Sequence, residues 1–154
     1  MKKFTDLVEE SSKNVTEIFP WDLEERLEEN PALILLDIRE PYEFDAMHIK
    51  NSINIPRGVL ETACEWDYEE TVAEIVEARE KEVIVACRSG NRSIFACEVM
   101  QKMGYKNVVS LKTGLRGWSD YEQALFNKDE VEVDEDEAID YFTSKLREDQ
   151  KAPE

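Results

Sequence analysis

The chain has 154 residues and a formal net charge of −17 at neutral pH, with 36 acidic against 19 basic side chains. Such a balance argues against nucleic acid or an anionic membrane as partner, because both bind proteins through Lys and Arg. No apolar run approaches the roughly 18 residues of a spanning helix, and none follows the N-terminus as in a signal peptide. Since the three cysteines also make an odd number, we expect a cytoplasmic protein without a disulfide framework.

Charge is distributed unevenly along the chain. From Cys87 to Trp118 there are six Lys and Arg residues and one acid, Glu98, so this segment carries +5 while the remainder carries −22. Lys102 and Lys106 are equally consistent with a solvated helix face. The segment as a whole predicts a region that attracts small anions within an acidic protein.

Apolar periodicity, together with Gly and Pro punctuation, divides the chain into alternating helices and strands. In chain order the predicted elements are a polar helix or frayed arm over 1–13, a helix over 21–29, a strand over 33–36, a helical turn from 37 to 44, a strand over 52–55, a helix over 69–80, a strand over 83–86, a helix that ends at Gly104, a strand over 108–111, and a helical stretch from 113 to about 126.

The apolar runs Leu33–Leu36 and Val83–Ala86 show no polar alternation, which is typical of parallel strands buried on both faces. Alternating strands and helices predict an α/β fold of three layers, with a mostly parallel central sheet and helices on both faces. We assign this domain to residues 14–126. Its ligand site is expected at the carboxyl ends of the strands, where Cys87 lies.

The composition changes from Asn127 onward, where an acidic connector begins. Residues 127–154 are predicted to form an acidic extension with one helix, because Ile139, Phe142 and Leu146 fall on one helical face. That helix either docks on its own domain, meets a partner protein, or stays loose.

The loop from Cys87 to Arg92 carries the features of a reactive thiol site. A free thiol has a pKa of about 8.5, which a helix N-terminus and nearby cations lower. If the loop curls around Cys87 before the helix begins, successive backbone N–H groups point at the sulfur and form an anion nest. Cys87 is therefore the candidate nucleophile, and the candidate substrate-binding residues are Arg88, Ser89, Gly90, Asn91 and Arg92.

The remaining cysteines and the single histidine have weaker claims to chemistry. Cys97 lies among apolar neighbours on a helix and is predicted to be a core residue. Cys64 has no basic neighbour to activate it, and a redox role for it stays open. His48 is either a structural residue or the general base for the thiol. No cluster offers metal ligands at zinc spacing, so neither a metal nor a cofactor is expected.

Several ordered motifs resemble the rhodanese family over roughly residues 14–125. Leu35–Phe44 is similar to the first family signature, and His48–Pro56 is similar to the second. The loop Cys87–Arg92 and the segment Gly104–Trp118 are similar to the third and the last. Their joint occurrence at these spacings implies the rhodanese-like fold.

The resemblance also implies a persulfide mechanism. Cys87, as a thiolate, takes a sulfane sulfur from a donor such as thiosulfate or a persulfide, and passes it to a thiophilic acceptor. Arg88 helps to recruit an anionic donor, while Arg92 braces the loop against an acid such as Asp37 or Glu43.

Loop length separates the chain from the cysteine phosphatases, some of which share a related fold. Those enzymes place their arginine six positions after the cysteine, whereas Arg92 follows Cys87 by five. The shorter loop favours sulfur transfer. Met47, Asn51 and Thr113 stand where the family usually has glycine, so the nearby turns are expected to differ.

Three functions are therefore compared. The first is a sulfurtransferase with a small anionic donor. The second is a sulfur-relay module that exchanges persulfide sulfur with thiol-bearing carrier proteins and turns over little thiosulfate. The third is a phosphatase. The chain is expected to act as a monomer or a homodimer, and the sequence identifies neither the physiological donor nor the acceptor.

Overall fold

Five parallel strands form a central sheet in the computed structural model, which describes residues 1–154. The strands are β1 (Glu17–Ile18), β2 (Ile34–Asp37), β3 (Ile53–Asn54), β4 (Glu82–Ala86) and β5 (Asn107–Leu111). The helices are α1 (Phe4–Ser12), α2 (Pro20–Glu29), α3 (Pro41–Ala46), α4 (Leu60–Ala63), α5 (Ala73–Val76), α6 (Arg92–Lys102), α7 (Gly114–Asp120) and α8 (Glu135–Phe142), with short 3-10 turns at Arg57–Val59 and Glu148–Gln150.

The order of strands across the sheet is β1-β5-β4-β2-β3, and every neighbouring pair is parallel. The central strand is β4, with β5 and β2 on either side, and the register of β4 with β5 pairs Val85 with Ser110. Parallel neighbours require crossover connections, which the helices supply. The predicted α/β class with a parallel sheet between helices is therefore confirmed.

Alternate residues of the central strands enter separate hydrophobic clusters on the two faces of the sheet. Val83 and Val85 of β4 pack into one cluster, whereas Ile84 and Ala86 pack into the other. The two clusters contain 17 and 15 buried residues, so neither face is left to solvent. This explains why the strands are apolar without alternation, as parallel sheets covered on both sides require.

Two predicted elements were wrong in extent, and one strand was not predicted. The helix expected over 69–80 is helical only at α5, because Val72 is extended and donates its N–H to the Ala63 carbonyl at 3.0 Å. At the C-terminal end of α5, the Arg79 guanidinium donates to the Val76 carbonyl at 2.7 Å. The helical stretch expected to reach Phe126 ends at Asp120, and the two-residue strand β1 was not predicted.

The C-terminal helix docks on its own domain, but through a different face from the expected one. Ala138 and Phe142 are buried in the cluster that contains α7, whereas Ile139 is half-exposed. Leu146 lies beyond the end of α8 and is exposed. The division into an arm over 1–13, a domain over 14–126 and an extension over 127–154 stays a prediction.

None of the helices combines the length and the apolar character needed to span a lipid bilayer.

Candidate active site

The backbone of the Cys87 loop, residues 87–92, is held between the end of β4 and the start of α7. The Leu115 N–H donates to the Cys87 carbonyl at 2.9 Å, and the Arg116 N–H donates to the Arg88 carbonyl at 3.0 Å. Gly114 lies so close beneath these carbonyls that a Cβ there would collide with the Cys87 and Arg88 backbone. The loop therefore has a fixed path beside the first turn of α7.

Hydrogen bonds converge on the sulfur of Cys87. The Gly90 N–H donates to Sγ at 3.2 Å and the Ser93 N–H donates to it at 3.3 Å. The thiol donates to the Ser93 hydroxyl at 3.3 Å, and that hydroxyl lies 2.7 Å from Ser110 Oγ. Ser93 is in the first turn of α6, so the helix N-terminus points at the sulfur, an arrangement that stabilises negative charge.

Gly90 makes this geometry possible. Its φ of +89° is in the region that residues with a Cβ rarely adopt, and a Cβ there would also come within 2.8 Å of the Thr113 amide nitrogen. Asn91 follows as the residue that precedes α6, and its carbonyl accepts the Ile94 N–H at 3.2 Å. The predicted ring of amides is thus formed by Gly90 and Ser93 rather than by every residue from 88 to 92.

Arg92 braces the loop through Glu43. Its two terminal nitrogens each donate to one Glu43 carboxylate oxygen at 3.0 Å, which is the bidentate geometry of a strong pair. Burial alone would raise the pKa of Glu43, but the hydrogen bonds from Arg92 and the Glu40 amide outweigh it and hold that pKa below its ordinary value of 4.5. The Glu43 hydrogen bonds in turn raise the pKa of Arg92.

The alternative acid, Asp37, is already paired with Arg39. Both side chains are buried, and the guanidinium donates to the two carboxylate oxygens at 2.8–3.2 Å. Arg39 also donates to the Met47 carbonyl at 2.7 Å, while its second terminal nitrogen, Nη1, has no partner. The pair joins the end of β2 to the chain that follows α3, so its role is structural.

Arg88 contacts the C-terminal helix. Its guanidinium donates to the Tyr141 carbonyl at 3.5 Å and lies 5.9 Å from the centre of the Phe142 ring. Because Phe142 is itself buried, α8 holds this side chain at the edge of the site. Nothing in the sequence pattern indicated that residues 127–154 would touch the Cys87 loop.

A small cavity opens above the sulfur, and we call it the Cys87 pocket. Its volume is about 180 Å³, and it is lined by Phe4, Cys87, Arg88, Ser89, Asn91 and Arg92. Phe4 comes from α1, which packs on α6 with the Phe4 and Phe95 rings 6.2 Å apart. The N-terminal arm therefore supplies one apolar wall of the pocket, and Ser89 is the exposed loop residue at its rim.

The other cysteines and His48 lie elsewhere. Burial raises the pKa of both Cys64 and Cys97, as expected for thiols in an apolar core. The His48 ring stacks on Phe44 and forms hydrogen bonds with the Phe44 carbonyl at 2.7 Å and with Glu130 at 3.3 Å. It does not contact Cys87, so the general-base hypothesis has no support in the geometry.

Sequence reasoning missed four residues that complete the site. Ser93 and Ser110 form the hydroxyl relay beneath the sulfur, and Phe4 and Tyr141 bring the two chain ends to it. A serine directly after the loop and a serine in an otherwise apolar strand were the available signals for the first two. The positions of the chain ends had no signal.

The fold is thus a parallel α/β sheet that carries a cysteine, held by two amides, at the carboxyl end of a strand. The model of the "Rhodanese-like domain" family matches residues 20–121. The chain therefore belongs to the rhodanese-like domain family.

Individual relatives agree with this assignment. A protein of Schizosaccharomyces pombe described as a "Putative thiosulfate sulfurtransferase, mitochondrial" is 36% identical over 115 residues, which cover 70% of this chain and 80% of that protein. A "Putative sulfur carrier protein YrkF" of Bacillus subtilis is 32% identical over 72% of this chain, but the match spans only 56% of its length. Among solved structures, a polysulfide-sulfur transferase homodimer of Wolinella succinogenes superposes with a TM-score of 0.64 at 26% identity, covering 81% of this chain and 88% of that one.

Proposed function

We propose that this protein is a sulfurtransferase that carries a sulfane sulfur on Cys87 as a persulfide. The donor is thiosulfate or an organic persulfide, and the acceptor is a thiophilic nucleophile such as a thiol. Membership of the rhodanese-like family and the names of the relatives support sulfur transfer in general.

The observation that carries the proposal is the set of donors around Sγ. The Gly90 and Ser93 amides donate to the sulfur of Cys87 at 3.2–3.3 Å, at the start of α6. The Ser93 hydroxyl, which accepts from the thiol at 3.3 Å, can turn to donate once the sulfur has lost its proton. Donors in fixed positions stabilise a thiolate, and they stabilise a terminal persulfide anion for the same reason. The Cys87 pocket offers space for the additional sulfur directly above them.

With thiosulfate, the chemistry is a double displacement. The Cys87 thiolate attacks the outer sulfur, a new S–S bond forms, and the S–S bond of thiosulfate breaks with its electron pair leaving on sulfite. The persulfide then gives its outer sulfur to the acceptor, and the bond to Sγ breaks with the electron pair returning to the Cys87 thiolate. No other reactant is needed.

Mass spectrometry of protein treated with thiosulfate, or with a small persulfide, tests the proposal. We expect a mass increase of one sulfur on the Cys87 peptide, which cyanide removes as thiocyanate. Cys87→Ser should abolish both signals, whereas Cys97→Ser should keep them, because burial raises the pKa of Cys97. Equal thiocyanate production by the wild type and Cys87→Ser would refute a Cys87 persulfide.

The sulfur-relay alternative is favoured by the two chain ends that lie beside the site. The Cys87 pocket is small, Phe4 near one chain end lines it, and Tyr141 of the acidic extension contacts Arg88 at its edge. Both arms enlarge the surface available to a carrier protein. Rapid transfer from the Cys87 persulfide to a carrier-protein thiol, together with negligible steady-state thiosulfate turnover, would select the relay over the small-donor enzyme.

A further inference from the structure

A second, larger cavity lies beside the Cys87 loop. Its volume is about 570 Å³, and it is lined by the start of α2 at Phe19–Trp21, by Ser89 and by the outer face of α7. Ser89 lines both this cavity and the Cys87 pocket, so one residue separates the larger space from the thiol. Small-molecule sites occupy about 300–1,000 Å³, and this volume falls within that range.

One side of the cavity is an aromatic platform. The rings of Phe19 and Trp21 stack with centroids 4.6 Å apart and planes 8° from parallel, and Tyr121 meets Trp21 edge-on at 5.9 Å. The Lys112 ammonium lies 5.2 Å from the Phe19 centroid. Trp21 nevertheless exposes 51% of its surface. A packed but exposed indole offers a ligand a rigid face at little cost in conformational entropy.

The α7 part of the cavity lining presents one unpaired cation and one unpaired anion. Arg116 is the only one of the eight arginines whose side chain forms no hydrogen bond, ion pair or cation–π contact with another residue. Asp120 lies one helical turn further along α7, and it also has no ionic partner. Opposite charges at this spacing commonly pair, yet here both line the cavity separately.

Separate positive and negative groups above an aromatic face complement a zwitterionic amino acid. Arg binds a carboxylate with its planar fork, and Asp accepts hydrogen bonds from an ammonium group. The backbone N–H of Arg116 is bonded to the Arg88 carbonyl at 3.0 Å, so these groups are attached directly to the Cys87 loop. A ligand held in this cavity therefore lies beside the Cys87 loop and meets the Cys87 pocket at Ser89.

We propose that this cavity, the donor subsite, binds the amino-acid part of an organic persulfide derived from an amino acid or short peptide thiol. The inference rests on the sulfurtransferase function proposed above. The carboxylate binds Arg116, the ammonium group binds Asp120, and the carbon chain packs on Trp21. The sulfur end passes Ser89 to reach Cys87. Thiosulfate has no carbon chain, so it occupies only the Cys87 pocket and not the donor subsite.

The transfer from such a donor is balanced without a further reactant. The Cys87 thiolate attacks the outer sulfur of R–S–SH, and a bond forms between Sγ and that sulfur. The S–S bond of the donor breaks, its electron pair leaves on R–S⁻, and the proton stays on the transferred sulfur until solvent exchanges it.

Donor competition tests the subsite through a ratio. The kcat/KM for glutathione persulfide is divided by the kcat/KM for thiosulfate in the wild type and in Arg116→Gln. We expect the ratio to fall about tenfold in Arg116→Gln, because a charge-assisted hydrogen bond to one donor is lost. Arg147→Gln, which alters an exposed arginine near the C-terminus, should leave the ratio unchanged.

A binding measurement separates affinity from turnover. S-methylglutathione has no sulfur to transfer, and it is titrated into the Cys87→Ser protein while tryptophan fluorescence is recorded. We expect saturable quenching that Asp120→Asn weakens about tenfold and that Trp21→Phe removes, since Trp21 is the indole in the subsite.

The outcomes distinguish this inference from the general function. If neither donor loads a sulfur onto Cys87, the proposed function fails. If both donors load Cys87 but Arg116→Gln leaves the ratio unchanged, or S-methylglutathione binds equally well to Asp120→Asn, the subsite is refuted while the sulfurtransferase remains.

Discussion

Glu43→Gln removes the charge that braces the Cys87 loop without changing the size of the side chain. Glu43 accepts two hydrogen bonds from Arg92 at 3.0 Å and one from the Glu40 amide at 2.9 Å. Gln keeps one acceptor oxygen, but the NH2 group that replaces the second oxygen cannot accept a hydrogen bond from the Arg92 guanidinium. Hydrogen bonds to charged groups contribute about 1.5–3 kcal/mol each, so the loss is substantial.

The expected cost follows from the exposure of the two partners. The Glu43 side chain is 8% exposed, whereas that of Arg92 is 36% exposed and is partly resolvated when its partner changes. We therefore expect the free energy of unfolding to fall by about 2 kcal/mol, near the lower part of that range. For a chain of this length this corresponds to a Tm lower by about 4–8 °C. Persulfide loading on Cys87 should slow as well, because the loop loses its brace.

Urea unfolding at several pH values checks this reasoning. The folded-state pKa of Glu43 lies below its ordinary value of 4.5, so its stabilisation is present above pH 4.5 and is lost as the pH falls through the folded-state pKa. The difference between the wild type and Glu43→Gln should be constant near neutral pH and should shrink below about pH 4.5.

Glu61→Gln provides the matched control. Glu61 also pairs with an arginine, Arg57, at 2.8 Å, but its side chain is 49% exposed. Such surface pairs contribute about 0.5 kcal/mol or less. If Glu43→Gln costs no more than Glu61→Gln, or if its cost does not change with pH, the Arg92–Glu43 pair does not brace the loop.

Two further changes test the docking of the C-terminal extension and the turn before α7. Phe142→Ala should lower the free energy of unfolding by about 3 kcal/mol, because the ring is buried against the domain and contacts Arg88. Ile139→Ala should cost at most about 0.5 kcal/mol, because that side chain is half-exposed. Equal, small effects of the two changes in thermal denaturation would show that α8 is not docked. Thr113→Gly should raise stability by about 0.5–1 kcal/mol, since Thr113 has a φ of +69° and a β-branched residue pays about 1–2 kcal/mol there. Thr62→Gly, in a helix, should instead lower it by about 0.5–1 kcal/mol in the same urea titration, because Gly is the weaker helix former and the Thr62 hydroxyl loses its hydrogen bond to the Val59 carbonyl.

The central strands were predictable because strands buried on both faces of the sheet have continuous apolar sequences. Leu33–Leu36 and Val83–Ala86 correspond to β2 and β4 within one residue. The two residues of β1 have no periodicity of their own, and they form a strand only because Glu17 lies beside Ser110 of β5. Elements fixed by a tertiary partner rather than by their own pattern were the ones that sequence reasoning missed.

In the site, too, some features were predictable from the sequence and others depend on tertiary partners. The sequence pattern indicated the Cys87 loop, and the resemblance to the rhodanese family offered Asp37 or Glu43 as the partner of Arg92. The choice between these acids depends on Arg39, which occupies Asp37 from two residues away. Asn51 and Thr113 replace family glycines, yet both keep a positive φ, at +66° and +69°. Thr113, a β-branched residue, is strained at such a φ, whereas Asn adopts it more readily.

The contacts of the basic residues show which of them remain available to bind an anion. Of the basic residues around the loop, Arg92 is neutralised by Glu43, and Arg88 is held by the Tyr141 carbonyl and the Phe142 ring. The amides of Gly90 and Ser93 donate to the Cys87 sulfur, and Arg116 is the arginine left without a partner. A donor that carries its reactive sulfur and its carboxylate on one molecule satisfies both, whereas thiosulfate satisfies only the first. Donor selectivity in this protein should therefore depend more on Arg116 than on either arginine of the loop.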